Sequence, residues 1–151
     1  MPNKTNRGYL ASTIGCRCPR CRQGKLFANP VTIRLKDNMK MNEHCPVCGQ
    51  PTEIEVGFYY GTSYVSYAIT VALSVVSLAI WWLTIGLSVY DNRFFYWIGA
   101  NAVLLLVLQP WLMRLSRSLW ISWFVPYDPD WKFTKPRDFS ERINKEQGAN
   151  W

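Results

Sequence analysis

Charge is nearly missing from the middle of this chain. Residues 56–113 carry one acid and one base, Asp91 and Arg93, and no charged residue stands between positions 56 and 90. Such a distribution excludes a disordered chain, and it disfavours a single soluble core with a solvated surface all round. Histidine is also scarce, with His44 the single one in 151 residues. The sequence carries no zinc-protease helix motif and no glycine loop of the Walker or dinucleotide type. A hydrolase triad would have to draw on His44 alone, so the sequence reads as a non-enzyme. Cysteine is absent after position 48, and the five present are crowded into the first third.

What is there falls into three parts. Residues 1–55 hold nine Lys/Arg against four Asp/Glu, and residues 114–151 hold seven against five, so the net charge of +7 sits at the two ends. Between them, residues 64–87 (YVSYAITVALSVVSLAIWWLTIGL) are apolar almost throughout. A helix of roughly 20 apolar residues crosses a hydrocarbon core of ~30 Å. A second uncharged run, 94–113, follows the turn Tyr90-Asp91-Asn92-Arg93. Tyrosine, tryptophan and phenylalanine bracket both runs, as amphipathic rings do at headgroup level. Serine and threonine hydroxyls inside the first run can bond back to helix carbonyls. Thr70, Ser74 and Ser77 place small side chains at helical spacing, and Asn101 and Gln109 carry amides that need a protein partner or the interface.

The fold class expected is a membrane α-helical hairpin of two transmembrane helices, with a small N-terminal β zinc ribbon and an amphipathic helix after the second span. The divisions read as an arm at 1–15, a cytoplasmic ribbon at 16–56 and spans at 62–88 and 94–113. An interfacial helix at 114–125 and a proline-containing cytoplasmic tail at 126–151 complete them. Basic residues concentrate in the head and tail, so positive-inside bias places both termini in the cytoplasm. Residues 1–11 have no apolar run of signal-peptide length. Arg114, Arg117, Ser118 and Ser122 form the polar side of the interfacial helix, with the arginines at the level of anionic lipid headgroups. A helical turn or two is expected near residues 139–145.

Cys18-Pro-Arg-Cys21 and Cys45-Pro-Val-Cys48-Gly49 are two C-x-x-C pairs separated by 23 residues. Each tight turn aims two sulfurs at one point, and two such turns close a tetrahedral thiolate shell. Cys18, Cys21, Cys45 and Cys48 are the expected ligands of a structural zinc. A mononuclear iron site, disulfides and metal relay are the alternatives. A shell of four cysteines leaves no open position for a catalytic water. Residues 31–35 (VTIRL) and 52–56 (TEIEV) alternate like strands. Cys16 is the odd thiol, a spare or a substitute for Cys18, and Arg17, Arg20 and Arg22 around it would favour its thiolate. His44 reads as a surface residue, since a neighbour of a ligand generally points away from the metal.

The order CPRCRQGKLF, MNEHCPVCGQ and EIEVGFYYGTSYVSY, leading into a hydrophobic hairpin, resembles the bacterial domain-of-unknown-function family numbered 983 in its Bacteroidetes form. The likeness spans residues 16–120. It rests on Cys18, Pro19, Cys21, Gly24, Leu26, Phe27, Cys45, Cys48, Gly49, Gly57, Phe58, Tyr59 and Gly61, and Cys16 is a departure from it. The resemblance implies an inner-membrane protein with a cytoplasmic zinc ribbon and no established activity. The resemblance also brings an association, in some bacteria, with neighbouring haem-copper oxidase assembly genes. The function expected is a small accessory or assembly subunit of a larger membrane protein complex, with a respiratory oxidase the favoured host and the ribbon as docking module. The alternative is metal handling or thiol redox chemistry. Nucleic-acid binding is disfavoured, because the head lacks a stacking platform and the inside-positive rule already accounts for its bases.

Overall fold

The computed structural model describes residues 7–86, 88, 90–139 and 142. Four α-helices carry it: α1 (Tyr9–Ile14), α2 (Leu35–Asn38), α3 (Thr62–Thr84) and α4 (Arg93–Phe124), with a 3₁₀ turn at Phe58–Gly61 leading into α3. Helices α3 and α4 are both long and apolar enough to cross a membrane. They form an antiparallel hairpin whose turn is held by Arg93 Nη1 donating to the Ile85 carbonyl at 2.8 Å.

Several polar groups inside the hairpin bond to one another. Asn101 Nδ2 donates to Ser74 Oγ at 3.1 Å, and Ser77 Oγ donates to Asn101 Oδ1 at 2.9 Å. Trp97 Nε1 reaches Ser77 Oγ at 3.2 Å. The small-residue face of the first helix therefore meets the second, with an amide as the cross-link between them. Gln109, by contrast, is exposed. Where the hairpin opens towards the head, Gly61 lies so close to Trp120 that a Cβ there would enter the indole ring. Trp120 Nε1 closes this contact on the Phe58 carbonyl at 2.9 Å.

The second run does not stop at residue 113. Helix α4 continues through Pro110 to Phe124 as one element of 32 residues, about 48 Å at 1.5 Å per residue. That exceeds a ~30 Å hydrocarbon core, so its last three turns or so enter the head. Ile121 and Val125 at its end share one apolar cluster with Leu26, Phe27, Ile54, Phe58, Cys18, Cys21 and Cys45. Head and hairpin thus have a common core.

Two expectations are corrected here. Among the described residues there is no strand, only the isolated antiparallel bridges Arg17↔Lys25, Phe27↔Met41 and His44↔Pro51. Residues 31–34 are irregular and Leu35 opens α2, while 52–56 is irregular too. Alternation stabilises a strand only when a neighbouring strand accepts its ladder, and these short segments find none. The polar side of residues 114–122 is likewise not the headgroup side. Arg114 is 4% exposed, and Ser116 and Ser118 are buried with it. The head has folded over this face: Ser118 Oγ donates to the Thr13 carbonyl at 2.9 Å, and Tyr9 Oη pairs with Ser122 Oγ at 2.9 Å. The helical turn expected over 139–145 falls mostly outside the described residues.

Arg114 makes the densest of these contacts. Its Nε donates to the Asn38 carbonyl at 2.8 Å, Nη1 to Asn29 at 2.9 Å and Nη2 to Pro30 at 2.8 Å. The guanidinium also lies 4.7 Å from the Phe27 ring centroid. A buried cation with no carboxylate partner is tolerable because three carbonyl dipoles and a π face replace its water. Arg117 makes one such bond, to the Met39 carbonyl at 3.2 Å, and sits over Tyr59. Arg114→Met should therefore destabilise the head by on the order of 3 kcal/mol, through three orphaned acceptors, and Arg117→Met by about 1 kcal/mol. Thermal unfolding of both variants in detergent checks this, and equal shifts would contradict it.

Candidate metal centre

Two loops of the same design build the centre. In the first, the Cys18 amide donates to Gly24 O and the Cys18 carbonyl accepts from Arg22 N, both at 2.8 Å. In the second, the Cys45 amide donates to Gln50 O at 2.8 Å and the Cys45 carbonyl accepts from Gly49 N at 2.9 Å. Each loop ends on a left-handed residue directly after its second cysteine, Arg22 at φ 56° and Gly49 at φ 69°. That reversal turns the chain back, so both sulfurs of a loop face the same point.

The two loops face each other. The Sγ atoms of Cys18, Cys21, Cys45 and Cys48 all lie within 4.8 Å of one another. Cys18–Cys48 and Cys21–Cys45 are each separated by 3.7 Å, far beyond the ~2.05 Å of a disulfide. A tetrahedron of sulfurs about 2.3 Å from a central ion has edges of about 3.8 Å, so the donor set fits such an ion. Gly24 N donates to Cys21 Sγ at 3.5 Å, the amide-to-thiolate bond expected of a ligand shell. At Gly24 a Cβ would collide with the Cys45 sulfur, so closure of the shell depends on this residue having none.

Three of the four cysteines are buried and Cys48 is half-buried. Hydrogen bonding among the packed sulfurs drives Cys18 up, chiefly through Cys21, and Cys21 down, chiefly through Cys18, while Cys48 is also driven up. Cys45 is lowered to about 6, chiefly by Cys18. Thiolates at this spacing repel one another, so ionisation of all four would require a cation. Among the described residues no basic side chain bonds to any of the four sulfurs, and a metal ion held among them could supply that charge.

Cys16 stands outside this group. Burial pushes its thiol up to about 11, against a smaller lowering by Arg114. The expectation of a thiolate favoured by Arg17, Arg20 and Arg22 is therefore corrected, because those side chains are engaged elsewhere. Arg17 donates to Gln23 O at 2.5 Å, and Arg22 lies over the Tyr127 ring. Arg20, 3% exposed, donates to the carbonyls of Cys48, Thr134 and Lys135 and forms an ion pair with Asp128 at 3.2 Å. It ties the first loop to the second and both to the tail. Gln50 repeats the device, exchanging two hydrogen bonds with the Arg137 backbone. His44 is exposed. Sequence reasoning missed Arg20, Gln50, Asn38 and the docking role of Arg114, and single surface-type residues in an unaligned sequence give no sign of burial.

A family model described as "Protein of unknown function (DUF983)" matches residues 35–124. The match takes in the second cysteine pair and both long helices. No curated protein and no solved structure matches the chain.

Gly24→Ala should cut bound metal by at least tenfold, as Cys45→Ser does, whereas Cys16→Ser and Gly8→Ala should leave it unchanged. Elemental analysis of the purified variants reads this directly. Metal loss in Cys16→Ser would place that thiol in the shell.

Proposed function

Because the chain belongs to the DUF983 family, for which no activity is established, we propose a function from its own geometry: a small non-catalytic accessory or assembly subunit of a larger bacterial inner-membrane complex, with a structural zinc in its head. The observation that carries this reading is that the four-thiol centre and the end of a membrane-length helix share one core. Metal binding here supplies folding free energy to a head too small to fold on apolar burial alone. Cys18, Cys21, Cys45 and Cys48 would hold the ion, and a closed four-sulfur shell supports a structural role over a catalytic one. The half-buried Cys16 thiol, its pKa raised by desolvation, weighs against the alternative of thiol exchange or metal handover, since the thiolate is the reactive form.

Helices α3 and α4 would span the bilayer, with head and tail on the side where the basic residues concentrate, the cytoplasm. The head then becomes a docking module presented at the membrane surface. A respiratory oxidase is the favoured host, on the gene-neighbourhood association that the family resemblance brings.

Extraction in mild detergent should give a hetero-complex well above 17.6 kDa, holding one zinc per chain. A monodisperse monomer or homodimer would refute the subunit role. Iron or copper in place of zinc, or strongly substoichiometric metal, would refute the structural zinc. Protons compete with metal for thiolates, so zinc should be released as pH falls, and the head should unfold with its release.

A further inference from the structure

Residues 30–36 (PVTIRLK), which contain the segment 31–35 expected to be a strand, instead form the tip of a hairpin-like arm. The arm's base is closed by Ala28 N donating to Lys40 O at 3.1 Å and Asn42 N to Leu26 O at 2.9 Å. Its tip exposes three aliphatic side chains: Ile33 at 88%, Leu35 at 56% and Val31 at 55%. Between and beside them stand the exposed bases Arg34, Lys36 and Lys25. From residue 16 to residue 36 there is no acid. An apolar tip flanked by cations is costly in water and is the pattern of a membrane-interface anchor.

Its position along the long helix gives the tip its depth. Asn38 Nδ2 donates to the Pro110 carbonyl at 2.8 Å, and the Asn29 and Pro30 carbonyls are held by Arg114. Pro110 lies 14 residues before the end of α4, about 21 Å at 1.5 Å per residue. The tip is thus fastened beside the last part of the apolar run 94–113 rather than at the far end of the head. Next to it, a cavity of about 300 Å³ is lined by Arg17, Lys25, Arg114, Trp111 and Val31, with no carboxylate in its wall. Arg114 is spent on carbonyls, but the exposed Lys25 of this wall would stand at the phosphate level of a bilayer.

We propose that residues 30–36 insert into the leaflet on the head's side, with Val31, Ile33 and Leu35 among the acyl chains and Lys25, Arg34 and Lys36 at the phosphates of anionic phospholipid. The tip is then a third membrane attachment beside the two helices, and it fixes the tilt of the metal-bearing head on the bilayer. The inference rests on the membrane-spanning reading above, and the two are separable by experiment.

Nitroxide labels on Ile33→Cys, Val107→Cys and Lys132→Cys, in the zinc-loaded full-length Cys16→Ser protein, are compared in proteoliposomes by electron paramagnetic resonance. Val107 lies on the exposed face of α4 and Lys132 in the tail beyond it. Relaxation by oxygen should exceed relaxation by a water-soluble nickel chelate at positions 33 and 107, with the opposite order at 132. A chelate-accessible label at 33 beside a protected one at 107 would overturn the inference alone, and would leave the tip as a protein-docking surface. A chelate-accessible label at 107 would overturn the spanning reading itself. Label 33 should be more deeply immersed in phosphatidylglycerol-containing bilayers than in pure phosphatidylcholine, and Arg34→Gln with Lys36→Gln should remove the difference. Equal immersion in both would overturn the headgroup contact.

Discussion

Four sulfurs held within 4.8 Å of one another are the constraint on which the rest of this molecule turns. Thiols so close cannot all ionise, and thiolates so close need a cation. The loops that bring them together have few interactions of their own: a handful of backbone bonds, two left-handed residues and a glycine whose missing side chain makes room for Cys45. Hydrogen bonds of this number stabilise by about 1 kcal/mol each, too little to order some fifty residues against their conformational entropy. A metal ion held by the four sulfurs would supply the missing free energy. Three of the four cysteines also belong to the apolar cluster of the head, so loss of such an ion would disturb the core along with the shell.

Around this centre, two buried arginines and one half-buried arginine act as fasteners. Arg20 joins the two loops to the tail, Arg114 joins the arm to α4, and Arg117 adds a further bond to the same arm. All three donate chiefly to backbone carbonyls. Carbonyls are the acceptors that an irregular chain has in excess, since it has no ladder in which to pair them. One guanidinium with up to five donors in a fixed fork can satisfy several such acceptors at once. An irregular fold and a set of buried arginines are therefore two sides of one solution.

Much of this could be read from the sequence, and the limits are instructive. The two long helices follow from runs of uncharged residues, a property of composition that needs no partner to interpret. The cysteine pairs follow from spacing, because a C-x-x-C turn has little choice of geometry. The strands at 31–35 and 52–56 were wrong for the opposite reason: alternation is a statement about a neighbour, and the neighbour was missing. Arg114 was misplaced for a related reason. A cation on the polar side of an amphipathic helix looks the same in sequence whether lipid headgroups or a folded head cover it. What separates the cases is the set of carbonyls at Asn29, Pro30 and Asn38, more than seventy residues away and carried by backbone atoms common to every residue type.

The shared core has a consequence for how such a head could work. A docking module on a flexible tether samples many orientations and loses entropy when a partner captures it. Here Ile121 and Val125 of the long helix are packed among the cysteines, Trp120 is bonded to the Phe58 carbonyl at the foot of α3, and Arg114 holds the arm. The head is consequently oriented by the helices, and in a bilayer whatever tilted the hairpin would tilt the four-cysteine loops with it. For a subunit whose task is to present a surface at a fixed height above the membrane, that rigidity lowers the ordering cost of association. On the proposed reading a metal would also matter at a distance: an ion that held the two short loops together would thereby hold the head in register with the membrane-length helices beside it.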